Sequence, residues 1–355
     1  MRVFLIGYPG EMGGANTEAW HTVKLWRRMG LDVQLIPTWG HDPKWKSRLD
    51  AIGCTTHLTL PADLERVPGL AGSPVVGLCN SQFITCAPRF RTLGCPIVWV
   101  NCMTFLFDNE KEFYRQHGPA DAMVYQSEFQ RGELEPQLAP FGYCAETGHL
   151  IRGAFDLDEW KCDPRAHGRD EEFYVGRVAR PDLDKWSSNL LTIYERIQYR
   201  SKRGILLGVD ERTRGKIGNP PWWVDSLRPM AIPVREFYAR LHCLLPVNGG
   251  ARENWPRAGL EAMAAGVPVV AQNEWGWREM IIHGETGFLG SDDHELAHWA
   301  AVLAHDESLR LRMIRRAYEH LCDDLANPDR IGAAWQSLFE SVTNRTSLHV
   351  QEAAA

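Results

Sequence analysis

Glu253 and Glu261 stand eight residues apart in the stretch RENWPRAGLEAMAAGVPVVAQ, which runs from Arg252 to Gln272. Between them lies the turn Pro256-Arg257-Ala258-Gly259. The residues from Ala258 to Ala265 are strong helix formers, Gly266 occupies the place of a helix C-cap, and Pro268 blocks continuation. The apolar run from Val267 to Ala271 then predicts a short buried parallel strand. Glu253 is thus expected on a loop and Glu261 in the first turns of a helix. A helix start with open N–H groups, beside a glycine that admits close approach, is a seat for a diphosphate. Carboxylates on either side of it can hold the hydroxyls of a sugar and of a ribose.

The rest of the chain must supply the scaffold for that site. A length of 355 residues points to about two domains. With 44% hydrophobic and 24% charged residues and no low-complexity segment, the composition is that of a globular enzyme. A net charge of −6 gives no global reason to bind nucleic acid or an anionic membrane. The nine cysteines form no C-x-x-C pair or zinc spacing. Cys79, Cys102 and Cys243 lie beside apolar runs, as reduced buried thiols of a cytoplasmic protein do. The start, MRVFLIG, reads as a strand rather than a signal peptide, and no apolar run nears the ~20 residues that span a bilayer. A soluble, cytoplasmic protein is expected.

Strands are predicted at 2–7, 32–37, 74–80, 97–102, 122–127 and 149–156, alternating with helical or looping connections. This rhythm argues for a doubly wound α/β domain, whose ligands bind beyond the carboxyl ends of the strands. Gly7, Asn80, Asn101 and Ser127 are the strand-end residues there. After the first strand, Gly13-Gly14 sits in a loop without the G-x-G-x-x-G spacing, before a helix that Asn16 or Thr17 is expected to cap. That helix carries Trp20, Lys24, Trp26, Arg27 and Arg28, a basic and aromatic set that can dock on a membrane surface or an acidic acceptor, but that more often means one packed face and solvated cations. A polar linker at 157–172 leads to a second α/β unit, opened by strands at 172–180 and 204–210. Helices are expected from His294 to Ala326 and again from 327 to 345.

The spaced glutamates, EAMAAGVPVVA, Gly276, Glu279 and HGETGFL at 283–289 together resemble the donor-binding half of retaining glycosyltransferases, and more narrowly glycosyltransferase family 4. The match is dense from about 246 to 290. The resemblance implies the GT-B architecture, two Rossmann-like domains facing across a cleft. The first, 1–160, lies on the acceptor side, the second, 161–328, binds the nucleotide-sugar donor, and 329–355 form a helix and tail returning to the first. It also implies that Arg177 and Lys185, in VGRVARPDLDK, bind the donor diphosphate, where a departing charge needs stabilisation. Glu253 then holds the donor sugar and Glu261 the ribose. Gly13, Gly14, Pro256, Arg257, Ala258 and Gly259 line the site by their backbone, and the chain near Pro233 runs beside the base. Where related enzymes often carry a histidine, this chain has Asn101, which either holds a sugar hydroxyl or caps its strand.

The implied reaction moves a hexose from a UDP- or GDP-sugar to a hydroxyl acceptor with retention, by front-face substitution. The nucleotide sugar is a co-substrate, and no tightly bound cofactor or metal is expected. Acidic pairs at 182–184 and 292–293 fit a connecting loop and a helix cap. The acceptor is left open among a glycan, a lipid-linked sugar, a small molecule and a hydroxymethylated DNA base. A basic rim of Lys44, Lys46, Arg48, Arg89 and Arg91 suits the charged acceptors, although such residues are more often plain surface. A sugar-nucleotide epimerase and a non-catalytic sugar-nucleotide binding subunit are the alternatives on the same fold.

Overall fold

A computed structural model describes residues 1–10, 13–37, 41–78 and 80–354, with side chains to Asn344 apart from Ser81. Cys79, expected to be a buried thiol, lies outside the described residues. The chain divides into two compact units, Met1–Asp156 with Pro328–Ala355, and Leu157–Asn327.

In the first unit β1 (Arg2–Ile6), α1 (Gly14–Arg28), β2 (Asp32–Ile36), α2 (Pro43–Ala51) and β3 (Thr55–Thr56) are followed by β4 (Val75–Leu78), α3 (Ser81–Thr92) and β5 (Ile97–Val100). Next come α4 (Asp108–His117), β6 (Ala122–Tyr125), α5 (Glu128–Leu138) and β7 (Gly148–Leu150). The strands form one parallel sheet in the order β3-β2-β1-β4-β5-β6-β7. Alternate residues of β1 enter different cores: Val3 and Leu5 pack with Trp20, Val23 and Trp26, whereas Phe4 and Ile6 pack with Phe83 and Phe90. Burial on both faces explains why these strands read as continuous apolar runs rather than alternating ones.

Two expectations change here. The first helix starts at Gly14, with Gly13 at φ 93° as its N-cap, so neither Asn16 nor Thr17 caps it. Of the segment 149–156 only His149 and Leu150 lie in a strand, β7, which begins at Gly148. The cations of α1 are taken up locally: Lys24 and Arg28 both pair with Asp156, the latter at 3.1 Å, while Trp20 and Trp26 are buried. Two of the helix's cations are thus held by a carboxylate of the same unit, and both its tryptophans lie in the core.

The second unit contains β8 (Phe173–Val178), α6 (Leu190–Arg196), β9 (Lys202–Leu207), α7 (Glu211–Ile217), β10 (Val224–Leu227), α8 (Val234–Ala239) and β11 (Cys243–Leu244). It continues with α9 (Arg257–Ala265), β12 (Val270–Gln272), α10 (Trp277–Met280), β13 (Phe288–Gly290), α11 (Asp293–His305) and α12 (Glu307–His320). A parallel sheet in the order β10-β9-β8-β11 is extended by the β12-β13 pair through the Leu244–Val269 bridge. Gly266, at φ 77°, ends α9 as expected, and the strand that follows occupies 270–272 rather than 267–271. Asp292 caps α11, accepting from the Glu295 N–H at 2.8 Å. Met280 and Ile281 are buried as core, but Ile282 is exposed.

The final helix, α13 (Pro328–Ala354), belongs to the first unit. Trp26 of α1 meets Trp335 edge-on at a ring separation of 5.0 Å and Phe339 at 5.6 Å. Both units are thus α/β layers around parallel sheets. Among the described residues no helix is long and apolar enough to cross a membrane.

Trp335 is 3% exposed and packs on Trp26 and Phe339, so Trp335→Ala leaves a void between α13 and α1. It is expected to destabilise the first unit by ~3–5 kcal/mol, read as an earlier urea transition in far-UV circular dichroism.

Candidate functional site

The residues singled out in the second unit converge because a parallel sheet delivers its loops to one edge. Arg177 is the fifth residue of β8, and Lys185 ends a single 3-10 turn, Leu183–Lys185, beyond that strand. Glu253 lies on the loop before α9. The Lys185 ammonium donates to both carboxylate oxygens of Glu253, at 2.9 and 3.0 Å. Each partner keeps about a fifth of its side chain exposed (24% and 18%), so the pair is accessible to a ligand. The loop of Glu253 is itself held tightly. Gly276 N–H donates to Glu253 O at 2.9 Å, and a Cβ at Gly276 would lie 1.7 Å from Asn254 O.

Arg177 is different: its side chain is only 1% exposed. Its guanidinium donates to Lys185 O and to Asn248 Oδ1, the latter at 2.9 Å, and stacks over the Trp186 ring at 5.1 Å. Burial pulls its pKa down to about 10, against the opposing pull of the Glu253 charge. It remains a cation at neutral pH.

Helix α9 begins after Pro256, whose side chain makes no capping hydrogen bond. Arg257 is buried and Ala258 half-buried. The expectation that Gly259 admits a ligand needs correction. A Cβ there would lie 2.4 Å from Met280 Sδ and 2.8 Å from the Trp277 ring, so the glycine serves the packing of α9 on α10. Glu261 lies in the second turn of α9 and accepts from the Tyr238 hydroxyl at 3.1 Å, which also reaches Ala258 O at 3.0 Å. Burial raises the Glu261 pKa, opposed by Arg257 and by the tyrosine hydrogen bond. Pro233 is the N-cap of α8, the helix that carries Tyr238. Glu279 sits half-buried on the short α10. Among the described residues no three His, Cys, Asp or Glu side chains gather as metal ligands.

In the first unit Gly13 and Gly14 open α1, and Gly13 takes a positive φ that favours glycine. The strand-end residues prove to be local fasteners. Asn80 donates to Ile6 O at 2.9 Å and caps α3, and Ser127 caps α5. Asn101 Oδ1 accepts from Met103 N–H at 2.8 Å, and its amide reaches Glu110 at 3.5 Å. This is the turn-capping alternative for Asn101; its side chain is engaged by its own loop. The basic rim is dispersed. Arg89 donates to Ala62 O, Arg91 to Pro119 O, Lys46 pairs with Asp50, and Arg48 stacks 4.0 Å over Trp45.

Sequence reasoning missed Tyr238, Trp186, Asn248 and Lys216. Asn248-Gly249-Gly250 directly after the apolar run LLPV was a strand-end signal for the third. Nothing local marks the others.

This arrangement places the chain in the GT-B class of folds. HepE from Anabaena in complex with UDP superimposes with a TM-score of 0.75 at 17% identity, covering 96% of this chain and 100% of that one. Its complex with UDP-glucose gives 0.74 at 17%, covering 97% and 100%. A glycosyltransferase from Rickettsia africae gives 0.75 at 12%, covering 96% and 98%. More particularly, residues 233–320 match the profile of the family described as Glycosyl transferases group 1. The capsular polysaccharide biosynthesis glycosyltransferase CapM of Staphylococcus aureus is 26% identical over 187 residues, half of this chain and 48% of CapM. The D-inositol 3-phosphate glycosyltransferase of Corynebacterium efficiens is 41% identical over 71 residues, 19% of this chain and 16% of that one. The chain thus spans less than half the length of either relative.

The turn around Asn101 rests on a titratable group. Glu110, 1% exposed, accepts from Phe107 N–H at 2.6 Å, and burial pushes its pKa up to about 7. The unfolded chain gives up this proton at ordinary glutamate pH, so the folded state loses stability as pH rises from about 4.5 to 7. The penalty reaches about 3 kcal/mol above that window. In Glu110→Gln this pH-dependent fall is expected to disappear, read from urea midpoints at pH 5 and 8.

Proposed function

We propose that this protein transfers a hexose from a UDP- or GDP-sugar to a hydroxyl acceptor with retention of anomeric configuration. The observation that carries the reading is the half-open Lys185–Glu253 pair in front of α9. A cation and a carboxylate stand together where a diphosphate and a sugar would meet a helix N-terminus. The match of this stretch to glycosyl transferases, and the UDP and UDP-glucose complexes of HepE, support a nucleotide-sugar donor.

In this reading the bond from the anomeric carbon to the diphosphate oxygen breaks as the acceptor oxygen bonds to that carbon from the same face. The diphosphate leaves with the electron pair and takes up the acceptor's proton. Lys185 meets the charge developing on the leaving oxygen, and Glu253 fixes the sugar hydroxyls. Glu261, oriented by Tyr238, holds the ribose diol, with the chain at Pro233 alongside the base. The backbone from Pro256 to Ala258 faces the phosphates. Positioning and charge stabilisation are large enough effects to serve a reaction without an enzymic nucleophile. The lysine's charge also suits catalysis without a divalent ion. The first unit selects the acceptor.

A panel of UDP- and GDP-hexoses, with anomeric configuration followed by NMR, tests this. One donor is expected to be consumed with retention, and EDTA to leave the rate unchanged. Glu253→Gln is expected to lower kcat/KM by roughly 10²–10³, the scale for losing one preorganised polar contact. An inverted product, or an active enzyme indifferent to Glu253→Gln, contradicts the proposal.

A further inference from the structure

Lys185 reaches Glu253 from one turn of 3-10 helix, a structure with too few internal hydrogen bonds to hold its own position. Its three consecutive carbonyls are instead tied from elsewhere. Leu183 O accepts from Lys216 Nζ at 2.7 Å, and Asp184 O from both Gly249 N–H and Ala251 N–H at 2.9 Å. Lys185 O accepts from the Arg177 guanidinium. The same lysine, Lys216, also reaches Gly249 O at 3.2 Å, stitching the turn to the loop after β11. Close approach is obligatory, because a Cβ at Gly249 would lie 2.1 Å from Trp186 O.

Asn248 links the two sides. Its side-chain oxygen accepts from Arg177, while its own N–H donates to Gln272 Oε1 at 2.9 Å. Arg177 is under the turn rather than at the surface, with one guanidinium nitrogen shared between Lys185 O and Asn248 and its face against Trp186. A direct contact with a diphosphate would require the turn to lift away.

We propose that Arg177 and Asn248 are positioning residues for Lys185, forming with Lys216 a brace that aims the ammonium at the donor diphosphate. The inference rests on the reading of the site given above, and it takes Arg177 out of direct phosphate contact. Arg177 acts through the lysine's backbone, so its influence on nucleotide binding passes through Lys185.

A double-mutant cycle tests this. UDP and GDP are titrated calorimetrically into the 355-residue chain and its Asn248→Ala, Lys185→Gln and double variants, with thermal melts checking that each is folded. Asn248→Ala is expected to weaken binding of the preferred nucleotide about tenfold, equivalent to ~1.4 kcal/mol. In the Lys185→Gln background the same change is expected to cost less than twofold. Lys216→Met, a half-exposed site, repeats the cycle if Asn248→Ala does not fold. Full additivity on measurable binding overturns the brace and leaves the functional reading standing. A wild-type protein that binds neither nucleotide overturns that reading, and the brace's task with it.

Discussion

A guanidinium removed from water must find fixed partners or destabilise what surrounds it, and at this site Arg177 is such a group. Isolated burial of a charge costs several kcal/mol, and the cost is met only where good acceptors are already in place. Arg177 draws on the Lys185 carbonyl, on Asn248 and on the Trp186 ring. These contacts, which leave the Arg177 Nε without a hydrogen-bond partner, tie β8, the turn beyond it and the loop after β11 into one geometry. The Lys185 ammonium and the Glu253 carboxylate inherit their places from that lock. A surface ion pair of two mobile side chains would be worth little and point nowhere in particular. This one is anchored through the backbone on one side, and through the Gly276–Glu253 contact on the other.

The sheets set the coarse frame. Parallel strands bring successive loops to one edge, and the polar residues that end β4, β5 and β6 cap or fasten those loops. Access for a ligand is then a matter of which loops are left half-open, and in the second unit the Leu183–Lys185 turn and the approach to α9 are among them. The aromatic Tyr238 reaches across from α8 to hold Glu261, so the two glutamates are fixed by unrelated supports.

Much of this frame is written in local patterns. Gly266 and Pro268 mark the end of α9, apolar runs mark the strands, and spaced glutamates mark the approach to the helix, because each depends on backbone preferences of a few neighbouring residues. Partners distant in sequence were not legible. That Gly259 accommodates Met280, that Arg177 turns inward to a carbonyl, and that Asn101 is spent on Met103 and Glu110 all follow from packing that no single stretch encodes. The helix-capping role of Gly13 was missed for a related reason. Asn16 and Thr17 are better cappers in isolation, but the loop leaving β1 already turns at the positive-φ glycine.

The first unit is interrupted in sequence: Leu157–Asn327 are made between its sheet and the helix whose Trp335 and Phe339 clasp Trp26. On a ribosome the sheet of that unit emerges long before its covering helix. One apolar face of α1 must wait, exposed, through the synthesis of the whole second unit. Proteins that fold domain by domain from the N-terminus avoid such a delay. The first unit is completed only after the whole second unit has been made. Removing α13 should therefore be felt in the packing of α1, about 300 residues before it in sequence.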